Sequence, residues 1–354
     1  MKKTFWKILF TAVLATSTLT FTSCKEEEKN EPINVSVENP RYIAAEGDNL
    51  YITCYYPISV VRYDIEQKAI TGICNLGQFH PEGIAAVDGK LYIASSSISD
   101  ENYNYTYDNK LYVVDIASFK LVDSVTVGVN PAKVKKLDGN HIVYNTLGNY
   151  STDFGGTYVM NTDNKEITPL NETLYNFDVY EGDIYGYTSP YGTLAFYKID
   201  GSTLQSTQIL TSWSANDNPY GINVNPNNGD IIVLTDGNYV ANGDCYRFNN
   251  AGETQGEAIQ LNSLPSKAVA INADQLLVLN EGAWGVNNAE VSKLDFATNN
   301  HIVNFFSQSN NSGLGDVAQD MILYKGKAYI TVTFSNSLET VDPANGHSTR
   351  FAFN

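Results

Sequence analysis

Aromatic residues recur along this chain at spaced intervals, each time beside turn-forming Pro, Gly, Asn or Ser. Tyr55 and Tyr56 open the series, followed by Tyr103, Tyr105 and Tyr107, by Tyr150 and Phe154, and by Tyr191, Tyr239, Trp284 and Phe334. Such rings carry a large apolar face at low entropy cost, and Tyr and Trp add a hydrogen-bonding edge. A set of them suits stacking on a bulky planar or ring-bearing ligand better than covalent chemistry. Singly, a tyrosine at a strand end reads as cover for an edge; recurrence in seven loops argues for a shared surface. A second set supplies donors and acceptors: Arg41, Tyr42, His80, Glu82, Lys133, Tyr175, Asn176, Tyr220, Lys267, Gln319 and Asp320.

Covalent catalysis is poorly provided for. The chain has no Gly-x-Ser-x-Gly elbow, no His-Glu-x-x-His and no glycine-rich phosphate loop. Its four histidines, His80, His141, His301 and His347, are scattered, and only His80 falls among the residues above. Glu82, Asn176 and Asp320 offer oxygen ligands of the kind a calcium-dependent hydrolase uses. Without a dense Asp-x-Asp loop they read as rim polarity. Trp213 and Trp284 are the only tryptophans after the N-terminal leader, too few for the recurrent tryptophan docking motif of quinone-cofactor proteins. We therefore expect no catalytic residue, metal or cofactor, and a protein that binds.

The elements that must position these residues come from a repeat. Seven segments begin alike, at Pro40-Arg-Tyr-Ile43, Pro81-Glu-Gly-Ile84, Pro131-Ala-Lys-Val134, Leu174-Tyr-Asn-Phe177, Pro219-Tyr-Gly-Ile222, Pro265-Ser-Lys-Ala268 and Ala318-Gln-Asp-Met321. Successive starts differ by 41, 50, 43, 45, 46 and 53 residues. Each start leads through a turn to a second strand, such as Asp88-Gly-Lys-Leu-Tyr-Ile93, and on to a third that closes near Asp, as in Leu111-Tyr-Val-Val-Asp115. Apolar residues alternate, and no sustained 3.6-residue period follows the leader. A period of this length holding four short strands predicts an all-β fold, a seven-bladed β-propeller of four-stranded antiparallel blades, because one blade cannot bury both its faces alone. The outer strand of the last blade is ambiguous: Ile33–Val37 and Ser348–Phe353 both qualify. In a four-stranded blade the lead-in to strand one and the loop between strands two and three emerge at the same end. The rings and the polar residues are thus expected to form one bowl.

Residues 1–24 read as a lipoprotein signal. Lys2, Lys3 and Lys7 form a positive start, an apolar run follows, and Thr22-Ser-Cys24 makes a small-residue cleavage site with Cys24 as the lipidated residue. Phe21 stands where such signals usually carry Leu, and a simple secretory signal is the alternative; both take the chain out of the cytoplasm. Residues 25–33 read as an acidic tether too polar to fold, and 34–354 as the propeller. The formal net charge is −17, or −20 without the three leader lysines, a field that repels phosphate backbones and disfavours nucleic acid. Cys54, Cys74 and Cys245 lack metal-ligand spacing and are expected as buried free thiols. Cys54 and Cys74 fall on strands of one blade too far apart to bridge.

The stretch Leu279-Asn-Glu-Gly-Ala-Trp-Gly-Val-Asn-Asn-Ala-Glu-Val-Ser-Lys-Leu-Asp295 resembles the Asn-Glu-Gly-x-aromatic-Gly-x-Asn-Asn-Ala-x-Leu-Ser-x-x-Asp blade motif of YncE-like, YVTN-repeat surface propeller lipoproteins, with Val291 for the motif's Leu. Asp236-Gly-Asn-Tyr239 and Leu147-Gly-Asn-Tyr150 are weaker echoes. The acidic run behind Cys24 is similar to the tag that exports some lipoproteins to the outer face of the outer membrane. One branch of the family captures cobalamin there and passes it to a TonB-dependent outer-membrane transporter. The resemblance therefore implies a lipid-anchored, exterior-facing protein whose bowl receives a corrinoid. The expected contacts are Arg41, Tyr42, Tyr55, His80, Glu82, Tyr105, Lys133, Tyr150, Asn176, Tyr191, Tyr220, Tyr239, Lys267, Trp284 and Asp320. Rings and amide-binding side chains equally suit a glycan or a docked protein, so these alternatives stay open.

Overall fold

Strands with apolar residues on both faces need a partner on each side. Leu50, Ile52 and Cys54 of the strand Asn49–Tyr56 are wholly buried in a layer shared with Tyr329, Leu338 and Phe353. Their neighbour Tyr51 points the other way, into a layer shared with Ile84, Leu91 and Ile93. The computed structural model describes residues 30–189, 191–210, 213, 217–239 and 241–353, and there this pattern repeats around a ring. Blades occupy residues 38–75, 81–126, 131–169, 174–210, 219–263, 265–295 and 318–352. One apolar layer fills each of the seven gaps between neighbouring blades, including the gap between the last and the first. The fold is the seven-bladed antiparallel β-propeller that the repeat predicts. Cys24 and residues 25–29 lie outside the described residues.

Six blades have four strands in sequential order, and the sixth has three. In the sixth, the expected outer strand is reduced to a single bridge between Lys293 and Ile302, after which the chain turns into the short helix Phe305–Asn310. Phe305 and Phe306 enter the layer between blades six and seven. The buried Glu290 carboxylate accepts hydrogen bonds from the Phe306 and Ser307 amides at 2.9 and 3.1 Å, which satisfies donors that a helix start leaves free. Ring closure is settled by the C-terminal segment: Ser348–Ala352 pairs with Ser337–Val341 as the outer strand of blade seven. Residues 33–37 join no blade as a strand. Ile33 donates its amide to the Ile70 carbonyl at 2.8 Å, and Val35 and Val37 pack into the closing layer.

Cys54, Cys74 and Cys245 are buried and unpaired. Cys54 lies on the second strand of blade one and Cys74 on the fourth, with Ser59–Asp64 between them. Among the described residues no helix is long and apolar enough to cross a membrane.

Candidate functional site: a charged axis inside an aromatic rim

Every innermost strand begins with an irregularity in the same place. In blade one Pro40 pairs with Cys54 and Ile43 with Ile52, so Arg41 and Tyr42 together oppose Thr53. The equivalent slip sets Glu82 and Gly83 against one residue in blade two, and Ala132 and Lys133 against Asn145 in blade three. In blades four to seven it leaves Tyr175, Tyr220, Ser266 and Gln319 as the extra residues. A bulge re-aims side chains and frees a backbone amide. Opposing side chains take up such amides: Thr53 accepts from Tyr42 at 3.0 Å and Asn145 from Lys133 at 2.9 Å. Two bulges require glycine. A Cβ on Gly83 would stand 2.6 Å from the Ala132 carbonyl oxygen, and one on Gly221 would stand 2.4 Å from that of Ser266. Seven bulges thus deliver polar side chains to one end of the central axis.

There they join across blades. Arg41 bonds Gln319 and reaches Glu82 at 3.3 Å, while Glu82 also accepts from the Tyr55 hydroxyl. The Arg41 guanidinium lies 5.0 Å from the Tyr55 ring centre and 5.6 Å from that of Tyr42, and Gln319 donates to the Tyr42 hydroxyl at 3.3 Å. Lys267 pairs with Asp320 at 2.9 Å, whose other oxygen accepts from the Ile43 amide at 3.0 Å. Lys135 pairs with Asp178, which accepts from the Val224 amide at 3.0 Å. Lys133 donates to Asn176 at 2.5 Å, and Asn176 donates to the Tyr220 carbonyl at 2.8 Å. Tyr220 in turn donates its hydroxyl to Glu281 at 3.1 Å.

These groups line a cavity of about 410 Å³ on the axis, bounded by Tyr42, Lys133, Tyr175, Asn176, Tyr220, Lys267, Glu281, Gln319 and Asp320 among others. Burial raises the Glu281 carboxyl to about 7, with the Tyr220 hydroxyl offsetting part of the rise. Burial likewise depresses Lys133 well below the usual lysine range, reinforced by Lys135 and Lys267. Asp178 goes the other way, to about 2: burial works against its charge, but Lys135 and Lys133 outweigh it. Lys267 is held above its ordinary value because Asp320 and Asp178 outweigh the cost of burial.

The rim is different in kind. Tyr56, Tyr103, Tyr105, Tyr150, Phe154, Tyr191, Tyr239, Trp284 and Phe334 are all exposed, Trp284 to 78%. They form short runs. Tyr55 stacks on His80 at 4.0 Å, with Tyr56 edge-on at 5.8 Å. Tyr107 links Tyr105 at 6.2 Å to Tyr150 at 6.3 Å. Tyr175 meets Tyr191 at 6.2 Å, the Tyr191 and Tyr239 hydroxyls lie 3.4 Å apart, and Tyr239 meets Tyr220 edge-on at 5.9 Å. Trp284 and Phe334 make a separate pair at 6.3 Å.

The expected residues therefore divide. Arg41, Tyr42, Tyr55, His80 and Glu82 make one contiguous cluster; Lys133, Asn176, Tyr220, Lys267 and Asp320 line the cavity; Tyr105, Tyr150, Tyr191, Tyr239 and Trp284 stand on the rim. Glu82, Asn176 and Asp320 do not converge: each is held by a different cation, Arg41, Lys133 or Lys267. Among the described residues no three His, Cys, Asp or Glu side chains gather as metal ligands. The sequence reading passed over Glu281, Lys135 and Asp178. Each has a signal. Glu281 sits inside the long blade motif directly after the buried strand Gln275–Asn280, and Lys135 and Asp178 lie two residues beyond Lys133 and Asn176 on the same face of their strands.

No protein-family model matches the chain, and no curated protein matches it in sequence. Solved structures share its fold. The hydrazine synthase of Kuenenia stuttgartiensis aligns at a TM-score of 0.58 and 14% identity, covering 92% of this chain and 98% of that one. Dihydro-heme d1 dehydrogenase NirN aligns at 0.59 and 12%, covering 91% and 67%. The β-propeller domain of Cps50 (Swd1) from Myceliophteria thermophila aligns at 0.59 and 10%, covering 89% and 96%. At these identities the likeness is one of fold, and the site must be argued from its own residues.

Proposed function

We propose that this chain is a binding protein whose ligand lies across the aromatic rim and reaches into the axial cavity, and that the ligand is a corrinoid. One observation carries the reading: the exposed rings of all seven blades gather at the end where the bulged strands present buried charge. A ring-bearing ligand too wide for 410 Å³ spans the rim, while its hydrogen-bonding fringe meets Arg41, Asn176, Gln319 and their neighbours. Corrins are wide, amphipathic and fringed with amides. The isolated Trp284–Phe334 pair favours a second reading, a glycan stacked on one exposed indole face. The axial carboxylates are engaged in ion pairs and amide bonds, which supports binding over catalysis.

The motif around Leu279–Asp295 and the acidic run behind Cys24 support membership of the YncE-like surface lipoproteins, with Cys24 lipidated, the propeller facing the cell exterior and a TonB-dependent transporter as partner. Cys24→Ser then releases the protein from the membrane fraction; retention there overturns the anchor.

Calorimetric titration of the purified protein with cyanocobalamin and a panel of oligosaccharides tests the ligand. One-to-one cobalamin binding is expected. Heat with a glycan alone moves the ligand to sugar, and silence with both leaves the rim as a protein-docking surface.

A further inference from the structure

Among the described residues Arg41, Lys133, Lys135 and Lys267 are held toward the axis, with the exposed Lys136 also bordering the cavity, and three of those four have a carboxylate partner: Arg41 has Glu82, Lys135 has Asp178 and Lys267 has Asp320. Lys133 is the exception. Its ammonium donates to the Asn176 amide oxygen, and that oxygen also accepts from the Phe177 amide at 2.9 Å. Among the described residues no carboxylate stands within ion-pair distance of it. Lys133 is deep in the protein yet keeps part of its surface open to the cavity. The Ser266 hydroxyl, delivered by the bulge of blade six, lines the same cavity; it is buried and makes no hydrogen bond. It sits near enough to Glu281 to moderate that carboxyl without reaching bonding geometry with it.

We infer that the axial cavity is an oxyanion subsite centred on the Lys133 ammonium, taking a carboxylate or phosphate group. An ammonium has three donors, and here one is committed to a neutral acceptor. The groups facing Lys133 explain why the opposing charge must come from outside. Lys135, on its own strand, and Lys267, from blade six, repel it; Asp178 and Asp320 attract it but are neutralised by those same lysines. The Phe177 ring centre lies 5.3 Å away, and Glu281 borders the cavity. Without an anion, burial and the two lysines weaken Lys133's hold on its proton. An anion restores that hold, so binding takes up a proton, and affinity falls as pH rises. Ionisation of Glu281 near 7 adds to the fall, and Glu281→Gln removes that part.

The inference deepens the binding reading and rests on it for where the ligand lies, yet the two fail separately. The first arm titrates the protein with sulfate and with acetate, both fully ionised between about pH 6 and 9, in buffers of different ionisation enthalpy. Saturable binding is expected, with proton uptake and weakening toward high pH. Lys133→Met should lose about tenfold or more of that affinity, and Lys133→Arg should keep binding while losing the lysine's share of the proton uptake, the Glu281 share going only when Glu281→Gln is added. The second arm compares cyanocobalamin, which carries a phosphodiester, with cobinamide, which lacks it. Lys133→Met that lowers only cyanocobalamin affinity assigns the subsite to the ligand's own phosphate; loss of sulfate and acetate binding assigns it to free oxyanions. Both support the subsite. Anion binding untouched by Lys133→Met and Lys133→Arg overturns it, as does the absence of anion binding together with equal corrinoid affinities in wild type and Lys133→Met. Thermal unfolding of each variant confirms that the fold persists.

Discussion

At the axis, Asp320, Asp178 and Glu281 are 4, 7 and 9% exposed, and each carboxylate has a protein partner. On the rim, Tyr150, Phe154 and Trp284 are 63, 75 and 78% exposed, and the ring neighbours of Tyr150 and Trp284 are other rim rings. Both regions occupy the same end of the propeller, but the axis is built mainly on the innermost strands and the rim on the loops and strand ends between second and third strands. Axial side chains also bond the backbone of other blades: Asp320 receives the Ile43 amide, Asp178 the Val224 amide, and Thr331 donates to the Arg41 carbonyl. Beyond the ligand contact proposed for them, these atoms tie the inner strands together. Rim rings have no such second task. Loss of an axial group should therefore damage the fold, whereas loss of a rim ring should damage binding far more than stability.

The largest expected effect is at Asp320. Asp320→Ala leaves Lys267 buried without a counter-charge and deprives the Ile43 amide of its acceptor across the ring closure. The cost expected from denaturant unfolding is about 3–5 kcal/mol, as for a buried pair broken on one side. Asp123→Ala breaks a pair with Lys165 in which both partners are over 40% exposed, and should cost about 0–1 kcal/mol. Equal costs would erase the difference between axis and surface.

Glu281 gives the next effect, and its sign is set by the raised carboxyl. A folded-state value of about 7 against an ordinary 4.5 means the stabilising contribution is complete below about 4.5 and is lost as pH climbs through 7. Over that window the loss is at most on the order of 3 kcal/mol, at about 1.4 kcal/mol per unit. Glu281→Gln keeps an acceptor for the Tyr220 hydroxyl and should flatten stability across the same window. Asp178 acts outside it: its contribution is held above about 3.8 and lost as pH falls toward 2. A variant that tracks wild type from 4.5 to 7 would mean that water reaches Glu281 and the cavity is no drier than the rim.

The fold was legible because the features that make a blade are local. A proline or its equivalent, a bulge pair and an alternating strand must recur at each inner strand, and the seven starts at Pro40, Pro81, Pro131, Leu174, Pro219, Pro265 and Ala318 all lie on innermost strands. The sixth blade departs from the pattern where the chain turns into the helix Phe305–Asn310: the apolar residues of Ile302–Phe306 read equally well as strand, and the Glu290 carboxylate that accepts the first helical amides lies on the preceding strand. The rim was legible as composition, residue by residue. The axial pairs were harder, since their partners are far apart in sequence, but they obey a rule the repeat contains. Arg41 and Glu82 are 41 residues apart, Lys135 and Asp178 43, and Lys267 and Asp320 53, so each pair is one repeat apart. Opposite charges at matching positions of successive inner strands are the sequence trace of such an axis. Glu281 escapes that rule because it follows a second strand instead of leading into a first.

The smallest effect on stability, and the one that isolates the rim, is expected at Trp284 and Tyr239. Trp284→Ala removes a ring whose aromatic contact is Phe334 and should shift unfolding by no more than about 0.5 kcal/mol, as exposed positions do. Tyr239→Ala should cost somewhat more, because its ring meets Tyr220 and its hydroxyl approaches that of Tyr191. Either change should weaken the ligand about tenfold, a typical loss for an aromatic anchor. Affinity and unfolding measured on the same samples separate the two roles, because a packing ring loses stability first and a contact ring loses affinity first. Should Trp284→Ala cost as much stability as Asp320→Ala with affinity intact, the rings would belong to the scaffold, and the ligand would have to be sought in the cavity alone.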